Sequence, residues 1–191
     1  MSIMALRSFT LSEIARRLDV PQHKLIHLCE TGVVVPEIHD AAGRGSSRVF
    51  SADNVLELAV ALRLRDMMIP VNVGGAIVHV LRRFGQELET ALSGSSLTES
   101  LRNPNSPELR VIISDGQAVF FTLAPRGKKP TLFGGIPLDQ LISGSAEWDT
   151  PVLERGTTAV AGPHVFGGPE GSSFARLELS VTSVARALPL D

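Results

Sequence analysis

Residues 9–36, with the sequence FTLSEIARRLDVPQHKLIHLCETGVVVP, predict two short helices joined by a tight turn. Thr10 and Glu13 have the spacing of a capping box, in which the side chain of each residue accepts from the backbone N–H of the other. The apolar residues that follow recur along one helical face, as expected for a buried stripe: Leu11, Ile14, Ala15 and Leu18. The question is whether this helix pair binds DNA or only builds a small helical core.

A second helix is predicted from Pro21, which suits the first helical position because it has no backbone N–H to lose there. Leu25, Leu28 and Cys29 form its inner face, and Gly32 supplies the expected stop. Four polar residues are left on the outer face: Gln22, His23, Lys24 and His27. A polar and partly basic start of a second helix is what contact with the major groove requires, since those side chains meet base edges and phosphates first.

The next segment predicts a two-stranded wing, because Val33–Val35 and Arg48–Phe50 are short β-branched or aromatic runs separated by Gly, Ser and Asp. The expected tip carries arginines and hydroxyls that suit a phosphate backbone: Arg44, Ser46, Ser47 and Arg48. The sequence GRGSSR at this tip lacks the Gly-Lys-Ser/Thr ending of a P-loop, so no nucleotide site is expected.

Two longer helices follow the wing. Ser51 is the expected cap of a third helix, whose apolar face is formed by Val55, Leu58, Ala59 and Leu62. This helix is expected to break near Pro70. A fourth helix, at about Val73–Leu92, repeats the stripe at Ala76, Ile77, Val80, Leu81 and Phe84.

The order of these elements resembles the N-terminal domain of MerR-type transcription regulators over residues 9–84. The stretch LSEIARRLDVPQHKLIHLCETGVVVP is similar to the opening of the family, SSRVFSADNV to its wing exit, and LRLRDMMIPV to its corner between the third and fourth helices. The resemblance implies a winged helix-turn-helix that binds DNA as a dimer. Ile26, His27 and Leu28 stand where the family has Arg and aromatic residues, and its metal-sensing cysteines and long coiled coil are missing, so no effector is inherited.

The rest of the chain differs in composition. Residues 93–108 are rich in Ser, Asn and Pro and predict a solvated linker. Asp115-Gly116 between two apolar runs predicts a hairpin, and residues from about Phe174 predict a strand and a final helix. We therefore expect an α+β protein with a winged helix-turn-helix of four helices and a two-stranded wing at residues 1–92, and a small α+β domain at residues 109–191.

Composition limits the partners. The formal net charge is −2, but residues 1–84 carry ten Lys and Arg against eight Asp and Glu, so any DNA contact must come from a local basic surface. One cysteine, with no signal peptide and no apolar run of about 20 residues, predicts a soluble cytoplasmic protein that does not cross a membrane. His23 and His27 without a third ligand predict no metal site, and no cofactor is expected.

The leading hypothesis is a transcriptional regulator that binds double-stranded DNA as a homodimer joined through its C-terminal domain. The expected DNA-binding residues are Ser12, Arg16, Arg17, Gln22, His23, Lys24, His27, Arg44, Ser46, Ser47 and Arg48. The alternative is an architectural or recruitment protein whose winged domain binds DNA weakly or binds a protein partner. An enzyme is not expected, because no nucleophile, base and orienting group can be assigned. The effector, a small molecule or a protein, stays open.

Overall fold

The computed structural model describes residues 8–38, 48–91, 96–124, 131–143 and 175–190. The N-terminal elements are β1 (Phe9–Thr10), α1 (Leu11–Arg17), α2 (Gln22–Glu30), β2 (Val49–Phe50), α3 (Ala52–Asp66) and α4 (Val71–Ala91). They are followed by α5 (Leu97–Arg102), β3 (Glu108–Ser114), β4 (Ala118–Ala124), β5 (Thr131–Pro137), α6 (Leu138–Ser143), β6 (Arg176–Ser180) and α7 (Val181–Ala187). The fold mixes helices and sheet, with the helix pair α1 and α2 at its start.

Helix α1 begins as the sequence predicts. The Thr10 hydroxyl accepts from the Glu13 backbone N–H, and the Glu13 carboxylate accepts from the Thr10 N–H, both at 3.4 Å. The helix ends in a turn where Asp19 has a φ of 53° and the Val20 N–H donates to the Ala15 carbonyl at 3.0 Å. Such a closing bond satisfies a carbonyl that the last helical turn leaves without a partner.

Helix α2 has the predicted inner face, since Leu25 and Leu28 are fully buried. Its start differs by one residue: Pro21 is the cap and Gln22 the first helical residue. Gly32 follows the helix with a φ of 73°, a left-handed conformation that glycine adopts without steric cost. The predicted stop is confirmed.

The predicted pairing of Val33–Val35 with Arg48–Phe50 is wrong. β2 instead pairs with β1, with Phe9 opposite Phe50 and Thr10 opposite Val49. The N–H groups of Val33 and Val34 both donate to the Leu28 carbonyl at the end of α2, at 3.0 and 3.3 Å, and both side chains are buried. Val33 and Val34 therefore close α2 and fill the core and do not build a strand. The predicted wing tip falls in residues 39–47, outside the described residues.

Helices α3 and α4 pack against each other, and α3 also contacts α2. Ser51 caps α3, as predicted, with its hydroxyl accepting from the Asn54 N–H at 3.1 Å. The Asn54 side chain accepts in turn from the Ser51 N–H at 3.4 Å, so this is a second capping box. The expected break near Pro70 is confirmed, because α3 ends at Asp66 and α4 starts at Val71.

The C-terminal elements form an antiparallel sheet in the order β5, β4, β3, β6. The predicted hairpin at Asp115-Gly116 is confirmed, and both residues have a positive φ, 52° and 65°. The predicted final strand and helix are β6 and α7. One side of β3 and β4, including Val111 and Phe121, packs into the same hydrophobic core as α3 and α4.

A short helix lies where the sequence predicts a solvated linker at residues 93–108. In α5, Leu97 and Leu101 are each 4% exposed. The Asp53 carboxylate of α3 accepts from the N–H groups of Leu97 and Thr98, at 3.2 and 2.8 Å. A side chain distant in sequence thus satisfies the first N–H groups of α5, which explains why the local composition did not reveal the helix. The division into domains at residues 92 and 109 stays a prediction. Across the described ranges, no helix has the length and apolar character to cross a bilayer.

Candidate nucleic-acid interface

The first turn of α2 presents three polar side chains, Gln22, His23 and Lys24, which we call the recognition turn. All three are exposed, while Leu25 directly after them is fully buried. Pro21 fixes the entry into the helix, and burial of Leu25 and Leu28 fixes its rotation about its own axis. The recognition turn is therefore held rigidly with its side chains on the surface, as a surface that contacts base edges needs to be.

The outer face of α1 adds Ser12 and Arg16, which lie one turn apart and are both exposed. The Ser12 hydroxyl lies 3.3 Å from the Thr10 hydroxyl. Arg16 is in the last turn of α1, six residues before Gln22. The structure thus leaves one cation and one hydroxyl of α1 accessible close in sequence to the recognition turn.

Arg17 is among the expected DNA-binding residues, but unlike Arg16 it is half-buried. Its side chain is only 21% exposed, and its Nη1 donates to the Pro189 carbonyl at 2.5 Å. The guanidinium also lies 5.4 Å from the centre of the Phe9 ring and 3.6 Å from the Glu13 carboxylate. The Arg17 guanidinium therefore already interacts with three groups of the protein itself: a carbonyl, a carboxylate and an aromatic ring.

The other expected DNA-binding residues lie on α2 and in the segment that leads to β2. His27 is exposed on α2, one turn after His23, and Arg48 is half-buried immediately before β2. Arg44, Ser46 and Ser47 lie outside the described residues. Ile26, which replaces a cation of the resembled family, is half-buried.

A buried polar network fixes the segment that leaves α2, and sequence analysis missed it. The Asn54 side chain donates to the Val35 carbonyl at 3.2 Å and accepts from the Glu37 N–H at 2.8 Å. It also donates to the Glu57 carboxylate at 3.1 Å. The Ser51 hydroxyl donates to the Glu37 carboxylate. The network therefore ties residues 35–37 to α3.

The network continues to α4 through a two-point ion pair. Arg82 Nε and Nη2 donate to the two Glu57 carboxylate oxygens at 2.8 and 2.6 Å, and the Glu57 side chain is 5% exposed. Burial raises the pKa of Glu57, because lost hydration outweighs the hydrogen bonds from Arg82 and Asn54. A sequence signal did exist: Glu57 interrupts an apolar run that is otherwise buried on all sides.

His79 lies on α4 near two arginines of the same helix. Burial first, and then the neighbouring charges of Arg82 and Arg83, lower the pKa of His79. The neutral form of His79 is favoured for that reason. Within the described parts of the chain, no group of three or more His, Cys, Asp or Glu residues is arranged to hold a metal ion.

Comparison with known proteins agrees with this geometry. Residues 9–71 match the domain described as MerR HTH family regulatory protein. Over 102 residues the chain is 31% identical to proteins described as uncharacterized HTH-type transcriptional regulators, from Mycobacterium bovis and from two strains of Mycobacterium tuberculosis. The aligned part is 53% of this chain and 45% of each relative, so the chain spans less than half the length of these relatives.

Proposed function

We propose that this chain, whose residues 9–71 form a MerR-type helix-turn-helix domain, is a transcriptional regulator that binds duplex DNA. One observation carries the proposal: the recognition turn is exposed and polar, while the rest of α2 is locked to the core by Leu25 and Leu28. A helix held in this way can enter a major groove with its first turn leading.

The residues divide into two roles. The Gln22 amide can donate and accept at once, which matches the N6 and N7 atoms of adenine in the major groove. The hydroxyls and cations around it suit phosphates, whose contacts position the protein without specifying sequence. We assign phosphate contacts to Ser12, Arg16, Lys24, His27 and Arg48, and to Arg44, Ser46 and Ser47 of the segment outside the described residues.

Selection of bound duplexes from a random pool tests the proposal. The wild-type chain is expected to enrich one motif, and Gln22→Ala is expected to lose preference at one base pair, worth roughly 1–3 kcal/mol for a lost two-point contact. The matched control is Gln140→Ala, because Gln140 is exposed on α6, far along the chain from the recognition turn. The control should select the wild-type motif.

If Gln140→Ala changed the selected motif and Gln22→Ala did not, the assignment of the recognition turn would be contradicted. Failure of the wild-type chain to enrich any duplex would instead favour the recruitment alternative. Exposure of Val35 and Ile38, which are 48% and 43% accessible after α2, is the observation that supports this alternative.

We also propose that the chain works in the cytoplasm as a homodimer joined through residues 109–191. One helix-turn-helix covers few base pairs, so two copies are the usual solution for a regulator of this size. Strands β5 and β6 are the outer strands of the described sheet, and Leu177 on β6 is 40% exposed. An apolar side chain on an outer strand suits a second copy.

Sedimentation tests the dimer. The wild-type chain is expected to sediment as two copies, and Leu177→Asp is expected to shift it to one copy, because a carboxylate would be desolvated in the interface. Met68→Asp is the matched control, since Met68 is 88% exposed in the N-terminal part. A variant Leu177→Asp that keeps the wild-type mass would remove β6 from the interface.

A further inference from the structure

The basic side chain of Arg17 contacts a segment near the other end of the sequence. Arg17 lies in the last turn of α1, and the carbonyl oxygen that it contacts belongs to Pro189. We call residues Leu188–Leu190 the latch segment. The contact joins the helix-turn-helix to the element that follows α7, over 172 positions of sequence.

The latch segment is held at both ends by burial. Leu188 and Leu190 are 4% and 6% exposed and belong to the main hydrophobic core. The Leu188 carbonyl also accepts from Arg102 Nη1 of α5, at 3.1 Å. The position of Pro189 between two buried leucines is therefore well defined.

The latch segment is also connected to the sheet. It continues directly from α7, where the Thr182 hydroxyl accepts from the Leu109 N–H of β3 at 2.8 Å. Arg186 of α7 donates to the Leu101 carbonyl of α5 at 3.3 Å. Leu188 alone separates the end of α7 from Pro189, so the position of Pro189 depends on where α7 packs against β3 and α5.

We propose that the latch segment is an autoinhibitory contact that withholds Arg17 from DNA, and that its withdrawal makes Arg17 available to a phosphate. The proposal rests on the proposed DNA binding. Arg17 is next to the exposed Arg16 and five residues before Gln22, so its helix lies beside the recognition turn. The acceptor that the latch segment supplies is the neutral carbonyl of Pro189, while the Glu13 carboxylate, 3.6 Å from the guanidinium, belongs to α1 itself and does not depend on the latch segment. A phosphate is an anion and a stronger acceptor for a guanidinium, so the exchange is favourable once the latch segment leaves.

The salt dependence of DNA binding in the full chain is the first test. Each added phosphate contact steepens the slope of log affinity against log salt by about 0.9, which is roughly a 3.5-fold larger loss between 50 and 200 mM salt. Leu190→Asn, which removes the burial of the latch segment, is expected to show this increment. Arg102→Ala, which removes the hydrogen bond to the Leu188 carbonyl, should show the same increment in slope. It serves as the test of the latch segment if Leu190→Asn does not fold.

Variants of Arg17 identify the side chain responsible. Arg17→Ala alone should leave the slope at the wild-type value, whereas Arg17→Ala combined with Leu190→Asn should cancel the increment. Arg16→Ala is the positive control and should reduce the slope by about 0.9. Met68→Asn, an apolar-to-amide change at an exposed site, is the negative control. A reduced slope in Arg17→Ala alone would overturn the proposal, because Arg17 would then already contact DNA.

Labelling of arginines with phenylglyoxal gives a readout that needs no DNA. Mass spectrometry is expected to show faster modification of Arg17 in Leu190→Asn and Arg102→Ala than in the wild-type chain. Equal rates of Arg17 modification in all three proteins would overturn the proposal that the latch segment covers Arg17, and this result does not depend on any choice of duplex. Faster labelling in a protein that binds no duplex would instead refute the proposed DNA binding.

Discussion

Arg82→Ala is expected to lower the free energy of unfolding by about 3–5 kcal/mol, because it leaves the buried Glu57 carboxylate without its cation. Both oxygens of that carboxylate accept from Arg82, and the Glu57 side chain is 5% exposed. Urea denaturation measures the loss. The control is Arg63→Ala, which breaks an ion pair to Asp66 whose side chains are both about two-thirds exposed. An exposed pair contributes about 0–1 kcal/mol.

The effect should depend on pH. Without Arg82, its hydrogen bonds and its charge no longer lower the Glu57 pKa, whereas the burial and the Asn54 hydrogen bond remain, so the folded pKa rises further above the ordinary carboxyl value. An acid whose pKa is higher in the folded than in the unfolded state favours unfolding when it is ionised. This destabilisation is greatest above the folded pKa and disappears as the pH falls to the unfolded pKa. The difference from wild type should therefore be smaller at low pH. A difference that grows on acidification would contradict the buried pair.

Leu25→Ala is the second large effect, expected to cost about 2–5 kcal/mol of stability. Leu25 is fully buried in the main hydrophobic core, so its truncation removes apolar contacts and leaves a cavity there. Gln22→Ala, one turn earlier on the exposed face, should change stability by no more than about 0.5 kcal/mol. Thermal unfolding of both variants measures this. Equal losses would mean that the helix is rotated from the position described.

Structural features that depend on residues within one or two helical turns of each other could be predicted from the sequence. The capping box of Thr10 and Glu13, the inner face of α2 and the Asp115-Gly116 hairpin follow from spacings of two to four residues. Local hydrogen bonds and periodic burial determine such features. A MerR-type domain was predicted over residues 9–84 from the order of these elements, and the resemblance is confirmed over residues 9–71.

Features that depend on distant residues were missed. A short valine run has the composition of a strand, yet Val33 and Val34 bond to the last turn of α2. The N–H groups that begin α5 are satisfied by Asp53, more than forty positions earlier. The pair Glu57 and Arg82 is separated by 25 positions. Spacing within one element carries no information about such partners.

The candidate site shows the same limit. Exposure of Gln22, His23 and Lys24 follows from helical periodicity alone, and the structure agrees with it. Helical periodicity alone predicts that Arg17 is exposed as well. Its side chain instead donates to the Pro189 carbonyl, and the position of Pro189 depends on the packing of α7. The contribution of these residues to DNA binding stays a prediction.

The contact between α4 and α5 bears on how such proteins exchange their parts during evolution. A Cβ atom on Gly85 would lie 3.3 Å from the Leu97 Cβ, so α4, which begins where the family match ends, fits closely against α5. Sequence similarity to the family ends at residue 71, whereas packing continues without a break through α5 and α7. A recombination event that joined residues 1–71 to an unrelated partner would inherit a surface shaped for these helices. We therefore expect successful rearrangements to carry α4, α5 and α7 along with the helix-turn-helix.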